Sequence, residues 1–367
     1  MKITDLELIS VHTTREMGKT SPADPIGADS YHVVVKLHTD MGITGIGEMS
    51  DIEFARDKKF VEKLQARLQK KLIGRDPFPI AAIHSDLKTE EWEHQVLCGV
   101  DTALYDAVGK ALDVPIYQLL GGKVRDKIRF SYPLTQAQTG ADVDANLARI
   151  QKRLDQGHDC FRYYFGVDLD LDEKFLAEMR KRWGDDVEMN ALDASGRFTV
   201  DEAIAAINRL APYKANVVES PVRGRHNAPV EDFLAVKAAV DIPIGEHVAS
   251  YDVAARLAAH NAIDVWNIGA GYSGISDCMK TFATAEVFGI KALHGSTVEM
   301  SIGTAARAHI MAAVPNLDLP SYPSGPLVYH EDVVKERVHY ENGYIIVPDG
   351  PGLGVEIDEE KLNVQRF

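Results

Sequence analysis

From about residue 130 to residue 294 the sequence alternates short apolar runs with amphipathic segments, and this repeat constrains the fold more than any other feature. The apolar runs fall at 130–134, 160–165, 187–192, 216–219, 242–246, 264–268 and 291–293, each long enough for a strand and too short for an ordinary helix. Between them, Val143, Leu147, Ile150 and Leu154 form one helical stripe that stops at Gly157. Thr199 and Glu202 form a capping box ahead of Ile204, Ile207 and Leu210. A helix between two strands carries the chain back to its starting edge, so successive strands run parallel. Seven such units in a row predict an α/β fold, a (β/α)7β TIM-like barrel.

The flanks follow another pattern. Residues 2–11, 31–39 and 42–49 read as an antiparallel meander with a turn at Asp40-Met41-Gly42, and helical patterns follow at 54–72, 81–87 and 99–112. After Pro320 the repeat ends, and 338–347 reads as a hairpin before a turn-rich tail. The expected division is an α+β capping domain over residues 1–125, a barrel over 126–320 and a C-terminal segment, 321–367, that returns to the cap. The loop from Thr20 to Ser30, rich in Ser, Pro, Gly and Asp, is placed to act as a lid.

A net charge of -15 over 367 residues argues against nucleic acid or an anionic membrane as partner, since either would be repelled at long range. A small anionic substrate would need local positive charge. Cys98, Cys160 and Cys278 have neither metal-knuckle nor redox-pair spacing, which fits reduced thiols. Acidic residues interrupt the start of the chain, and no run of roughly 18 apolar residues occurs. The expectation is a cytoplasmic protein.

In a β/α barrel, residues just past the C-terminal strand ends share one mouth. Three consecutive strands end there in potential metal ligands: Asp193, Glu219 and the pair Glu246-His247. Each alone has an ordinary reading as a helix cap or solvated acid, but their repetition one βα unit apart lets three side chains converge on one ion. Oxygen donors suit Mg²⁺, and a histidine ligand would also admit Mn²⁺. One strand earlier, the two-residue period sends Arg162 and Tyr164 to one side and Phe161, Tyr163 and Phe165 to the other. A phenol of pKa about 10 is a poor base at neutral pH, but a neighbouring guanidinium and a divalent cation favour phenolate, making Tyr164 a candidate general base. The competing reading is an aromatic patch of barrel wall. His294 ends the last strand and is a candidate acid or base. Arg223, with Arg225 and His226, follows the Glu219 strand and either holds a second carboxylate or stays solvated.

Several motifs together resemble the mandelate racemase and muconate lactonising branch of the enolase superfamily: Thr44-Gly-Ile-Gly-Glu48, Gly99-Val-Asp-Thr-Ala-Leu-Tyr-Asp106, Leu119-Leu-Gly-Gly-Lys-Val-Arg125, Glu219-Ser-Pro221 and the Asp349–Gly354 tail. The resemblance covers nearly the whole chain. It implies a barrel capped by both chain ends, with a metal ion, Mg²⁺, stabilising an enediolate formed from a carboxylate substrate. Asp193 and Glu219 match the first two ligand positions, and His247, with Glu246 as alternative, matches the third. Where that branch usually has Lys-x-Lys, this chain has Arg162-Tyr163-Tyr164. That pattern, with Pro243-Ile-Gly-Glu-His247 and Gly325-Pro-Leu, resembles a smaller group containing a galactarate dehydratase with a Tyr and Arg dyad as base.

The resemblance implies a small-molecule carboxylate as substrate and a homo-oligomer. The expected activity is Mg²⁺-dependent dehydration of an acid sugar to a 2-keto-3-deoxy acid, with Tyr164 as base, Arg162 as its partner and His294 as acid. The cap stretch Lys88–His94 lacks the tyrosine that protonates the leaving group in that dehydratase. Asn267, Arg223 and Thr20 are candidate substrate-binding residues. The alternatives are a racemase, epimerase or cycloisomerase using the same enediolate, and a catalytically silent barrel used for binding.

Overall fold

The computed structural model describes residues 1–16, 28–93, 95–269 and 274–367; Thr20, most of the expected lid, and His94 lie outside them. The chain opens with β1 (Ile3–Thr14), β2 (Asp29–Thr39) and β3 (Thr44–Met49), an antiparallel sheet in that order. Alternation gives it two apolar faces. Leu6, Leu8, Val33, Val35 and Leu37 pack with residues of helices Lys58–Leu72 and Val96–Leu112, while Ile9, Val11, Val34 and Ile46 join a larger core on the other side. The glycines of the 44–48 motif have a steric reason. A Cβ on Gly45 or Gly47 would collide with the carbonyl of Ala103 or Gly99, so helix Val96–Leu112 rests directly on β3. The helix expected over 54–72 is broken at Asp57, whose side chain accepts from Phe60 N and caps Lys58–Leu72 after a 3-10 turn, Glu53–Arg56.

The apolar run at 130–134 does not form one strand. β5 (Tyr132–Leu134) takes only its last three residues, and β4 (Lys127–Arg129), just before it, enters a different sheet. β5 begins a seven-stranded parallel sheet that continues through β6 (Cys160–Tyr164), β7 (Glu188–Asp193), β8 (Ala215–Glu219), β9 (Ile244–Val248), β10 (Val265–Ile268) and β11 (Lys291–His294), with spatial order following chain order. Between them run helices Gly140–Leu154, Leu169–Trp183, Val200–Leu210, Val230–Ala239, Tyr251–Ala259 and Ile275–Phe288, and Ser301–Ala313 follows β11. The box before Val200–Leu210 has both expected bonds, and Thr139 with Asp142 builds a second one before Gly140–Leu154, each worth about 1 kcal/mol.

The sheet curls. Ala191, Val217, Val265 and Leu293 from four strands meet Tyr322 in one interior cluster, while Phe161, Tyr163, Met189, Val218, Ile244, Trp266 and Ala292 belong to the core that includes the surrounding helices. Residues 318–322 bond to both sheet edges: Asp318 N and Tyr322 N donate to Ala292 O and His294 O, at 2.9 Å each, and Ser131 N donates to Ser321 O at 2.8 Å.

The predicted hairpin is β12 (Tyr340–Glu341) and β13 (Tyr344–Ile346), and β13 pairs with β4 rather than with the N-terminal sheet. The residues beyond it do reach N-terminal elements: Gly352 O accepts from Ile116 N at 2.9 Å, Lys36 Nζ meets Glu359 at 2.7 Å, and Val11 bridges to Arg366. Glu48, at the end of the β3 motif, accepts from Met300 N and Gly303 N at 2.8 and 2.7 Å and so caps helix Ser301–Ala313. Among the described residues no helix is long and apolar enough to cross a membrane.

Candidate active site

Strand parity decides which side chains enter the interior. Ala191 and Asp193 share a face of β7, as do Val217 and Glu219 on β8 and Val265 and Asn267 on β10. On β9 a Cβ at Gly245 would lie 2.9 Å from the Val217 side chain, so Gly245 and His247 face inward, whereas Glu246 shares the outer face with Ile244 and Val248. Arg162 and Tyr164 are the inward residues of β6, opposite in parity to Phe161 and Tyr163.

Asp193, Glu219, His247, Arg162 and Asn267 are brought together. Arg162 Nη2 contacts Asp193 Oδ2 and lies 3.4 Å from Glu219 Oε1, bridging the two carboxylates. Glu219 Oε1 also meets Asn267 Nδ2 at 2.6 Å and His247 Nε2 at 3.0 Å, and its Oε2 accepts from Tyr322 Oη at 2.8 Å. Burial pushes the Glu219 carboxyl up, but Arg162, His247, Asn267 and Tyr322 together overcome this and hold it below the usual range. Burial and Glu219 push the Tyr322 phenol far up, so it stays a neutral donor. The Arg162 guanidinium is stacked between two rings, 4.7 Å from the Tyr164 centroid and 4.2 Å from that of Tyr322. Asp193 Oδ1 accepts from Ser195 N at 2.6 Å and Ser195 Oγ at 3.1 Å, which fixes the carboxylate plane.

A divalent cation fits this donor set. Two carboxylates and an imidazole converge, and a cationic guanidinium already bridges the carboxylates where an ion would be held. No group of three His, Cys, Asp or Glu among the described residues is gathered around a free centre, and the Arg162 guanidinium lies between Asp193 and Glu219.

His294 does not join the group. Leu293 is the inward residue of the β11 end, so His294 points toward the helices, where its ring lies 6.0 Å from that of Phe282 and a side chain at Gly269 would collide with it. Burial first, then Arg307, lower its pKa to about 3, while its Nδ1 bond to Gly295 O at 2.8 Å opposes them. A neutral ring at this position is a poor proton donor, contrary to the expectation from its place at a strand end. Arg223 also turns away: its side chain is 65% exposed and lies 3.4 Å from Glu202. The neighbouring Arg225 is the residue that reaches the mouth, with Nη2 3.0 Å from His247 Nδ1. Glu246 Oε1 accepts from Ser220 Oγ and from His247 N, both at 2.7 Å, and lies 3.3 Å from His247 Nδ1. Tyr322 was not marked by the sequence pattern, since it lies between Pro320 and Pro323 where no alternation survives. The Lys88–Glu93 stretch turns to another task, with Lys88 Nζ 2.8 Å from Asp277.

A curled parallel sheet with acids, a guanidinium and a phenol converging at the C-terminal ends of its strands belongs to the β/α class of enzymes whose sites occupy that mouth. Residues 145–361 match the enolase C-terminal domain-like family, and residues 12–121 match the mandelate racemase / muconate lactonizing enzyme N-terminal domain. The chain belongs to this branch of the enolase superfamily. It is 30% identical over 343 residues to muconate cycloisomerase 1-1 of Acinetobacter lwoffii, covering 91% of this chain and 88% of that protein. It is 31% identical over 350 residues to D-galactonate dehydratase of Ralstonia pickettii strain 12J, covering 89% and 88%. The structure of muconate lactonizing enzyme from Pseudomonas fluorescens, complexed with muconolactone, superposes with a TM-score of 0.89 at 27% identity, covering 100% of this chain and 99% of that one. Similarity thus extends to relatives with different reactions.

Proposed function

We propose that the protein is a metal-dependent acid-sugar dehydratase, with the proton-transfer machinery on one side of the substrate. The observation that carries this reading is the asymmetry of the interior. On β6 stand Arg162 and Tyr164, while β10 and β11 present Asn267 and Leu293, and a side chain at Gly269 is excluded by His294. Racemisation by two bases needs an ionisable group on each side of the α-carbon; elimination needs one base.

Asp193, Glu219 and His247 would hold Mg²⁺, with Mn²⁺ as the substitute, and the ion supplies Lewis-acid stabilisation of charge developing on the substrate carboxylate. Tyr164 takes the α-proton, and the Arg162 guanidinium over its ring favours the phenolate. The α C–H pair becomes the carbon–carbon double bond as the β C–O bond breaks, and the protonated Tyr164 passes the proton it has taken to the departing hydroxyl, which leaves as water. The resulting enol tautomerises to a 2-keto-3-deoxy acid. Tyr322 and Asn267 fix Glu219 throughout. The galactonate dehydratase relative and the Arg-x-Tyr pattern support this reading. A cycloisomerase acting through the same enediolate is the second reading, supported by the muconate cycloisomerase relative, and the product distinguishes the two.

The same reading includes a closed (β/α)7β barrel over residues 126–320, residues 318–322 joining its edges, and a cap from residues 1–125 to which 321–367 returns. It also includes a homo-oligomer in the cytoplasm acting on a small carboxylate. The test is a screen of mono- and diacid sugars with Mg²⁺, reading 2-keto acid as semicarbazone. The expected hit disappears in Tyr164→Phe, Asp193→Asn and Glu219→Gln. Solvent deuterium appearing at the α-carbon of recovered substrate with inverted configuration would sink the one-base reading.

A further inference from the structure

Tyr164 is the last residue of β6, and the sheet supports it from one side only. β7 pairs with it through Asp193, whereas the pairing with β5 ends one residue earlier, at Leu134 and Tyr163. Just past the strand, Phe165 N still donates to Asp193 O at 3.0 Å. On the β5 side a side-chain clamp takes over from the ladder. Tyr163 Oη accepts from Ala137 N at 3.3 Å and donates to Asp172 Oδ1 at 2.6 Å, and Gly166 N donates to Asp172 Oδ2 at 2.8 Å. One carboxylate in the first turn of helix Leu169–Trp183 thus holds the residue before Tyr164 and the residue two beyond it. Tyr163 and Asp172 are both 0% exposed, and a Cβ on Gly166, at φ 98°, would collide with the Phe198 ring.

Asp172 has its two oxygens taken by a phenol and an amide rather than by a cation. Burying a carboxylate among neutral partners costs free energy that an apolar side chain at the same place would not. Burial, with Asp168 adding to it, raises the Asp172 pKa to about 6, while Tyr163, Gly166 N and Arg197 oppose them. Burial, Asp172 and Asp142, the last from helix Gly140–Leu154, keep the Tyr163 phenol neutral. Because both oxygens accept, the clamp needs an ionised carboxylate: a protonated acid or an amide sets a donor against Tyr163 Oη or Gly166 N. Resting on the reading of Tyr164 as the base, we propose that Asp172, with Tyr163, is a positioning residue that fixes where the Tyr164 phenol meets the α-proton. Neither touches substrate, and both act through the backbone on either side of Tyr164. Proton transfer needs heavy atoms within about 2.6–3.2 Å, and a misplacement of about 1 Å costs about a hundredfold in rate.

The test compares Asp172→Asn, Tyr163→Phe and the double variant, as full chains with Mg²⁺, on the sugar acid that the semicarbazone screen yields. Each single change should lower kcat about tenfold to a hundredfold and leave KM and the Mg²⁺ Kd within about threefold. The double variant should lose no more than the worse single, since the two residues act as one unit. The acid side of the kcat profile should carry a fall beginning at about pH 6 that is absent in Asp172→Asn. That fall moves to higher pH in Tyr163→Phe, which removes a bond that lowers the Asp172 pKa. An unaltered kcat in Asp172→Asn, a loss confined to KM or Mg²⁺ affinity, or losses that multiply in the double variant overturn the inference. Turnover that survives Tyr164→Phe overturns the base reading instead. In that case, or with a blank screen, the clamp is judged without substrate, by hydrogen exchange followed by mass spectrometry. Exchange over 163–168 should run at least about tenfold faster in Asp172→Asn than in the unaltered protein, with 215–219 unchanged. No acceleration overturns the clamp whatever the reaction.

Discussion

On the proposed reading Arg162 and a divalent ion compete for the same carboxylates, so replacing the arginine should make the fold depend on metal. Arg162 is 6% exposed, and the two carboxylates it bridges are each 1% exposed. Arg162→Met fills the space between the Tyr164 and Tyr322 rings but leaves Asp193 and Glu219 without their counter-charge. Removing one partner of a buried ion pair costs about 3–5 kcal/mol. Unfolding entropy of about 2.1 cal/mol/K per residue gives roughly 0.8 kcal/mol/K for 367 residues, so the metal-free variant should melt about 4–6 °C lower. An ion at the vacated bridge restores the charge balance, and at a hundredfold excess over its Kd contributes about 2.7 kcal/mol, recovering roughly 3–4 °C. The unaltered protein must first displace its own guanidinium, so its Tm responds less to Mg²⁺ and its affinity is weaker. The assay is paired thermal melts with EDTA or saturating Mg²⁺, alongside calorimetric titration. A variant that binds Mg²⁺ more weakly than the unaltered protein, or whose lost stability Mg²⁺ does not restore, would refute the bridge as the metal position.

The remaining predictions concern neighbouring groups. His247→Asn should weaken Mg²⁺ binding by at least about tenfold, the loss of a proposed ligand, and Glu246→Gln by less, because Glu246 acts only through that imidazole, 3.3 Å from its Nδ1; calorimetry separates them. His294→Asn should leave the shape of the kcat/KM profile unchanged between about pH 5 and 9, and a lost limb would return His294 to the chemistry. His84 sits between Asp101 and Asp277, at 3.1 Å from each, and these carboxylates outweigh burial to raise its pKa from 6.5 to about 9. A raised folded-state pKa contributes stability in full below pH 6.5 and loses it as pH rises through 9, so urea midpoints should fall over that window and His84→Gln should flatten the fall.

How far the sequence revealed these features depends on whether a residue's partner is local or remote. The βα units were legible because a strand's two faces and a helix's stripe and cap are written within the element itself, as with Thr199 and Glu202. The break between β4 and β5 was not, because β4 is drawn off by β13, more than two hundred residues later, and nothing in 127–134 encodes that partner. Tyr322 was hidden for the same reason: its place is set by bonds from residues 318–322 to both sheet edges rather than by an alternating pattern of its own. Arg162 and Tyr164 were legible as one face of β6, but the pattern could not say that the guanidinium bridges the acids instead of only flanking the phenol.

The two strand ends left ambiguous, Glu246-His247 and His294, yield to one rule. Counting by two from the small apolar residue that fills the interior, Ala191 leads to Asp193, Val217 to Glu219, Gly245 to His247 and Val265 to Asn267. From Leu293 the same step leads to Gly295, not His294. The strand that seemed to offer an acid from its final residue therefore offers the mouth only a glycine, and on the proposed reading proton transfer falls to the opposite side of the interior, on β6.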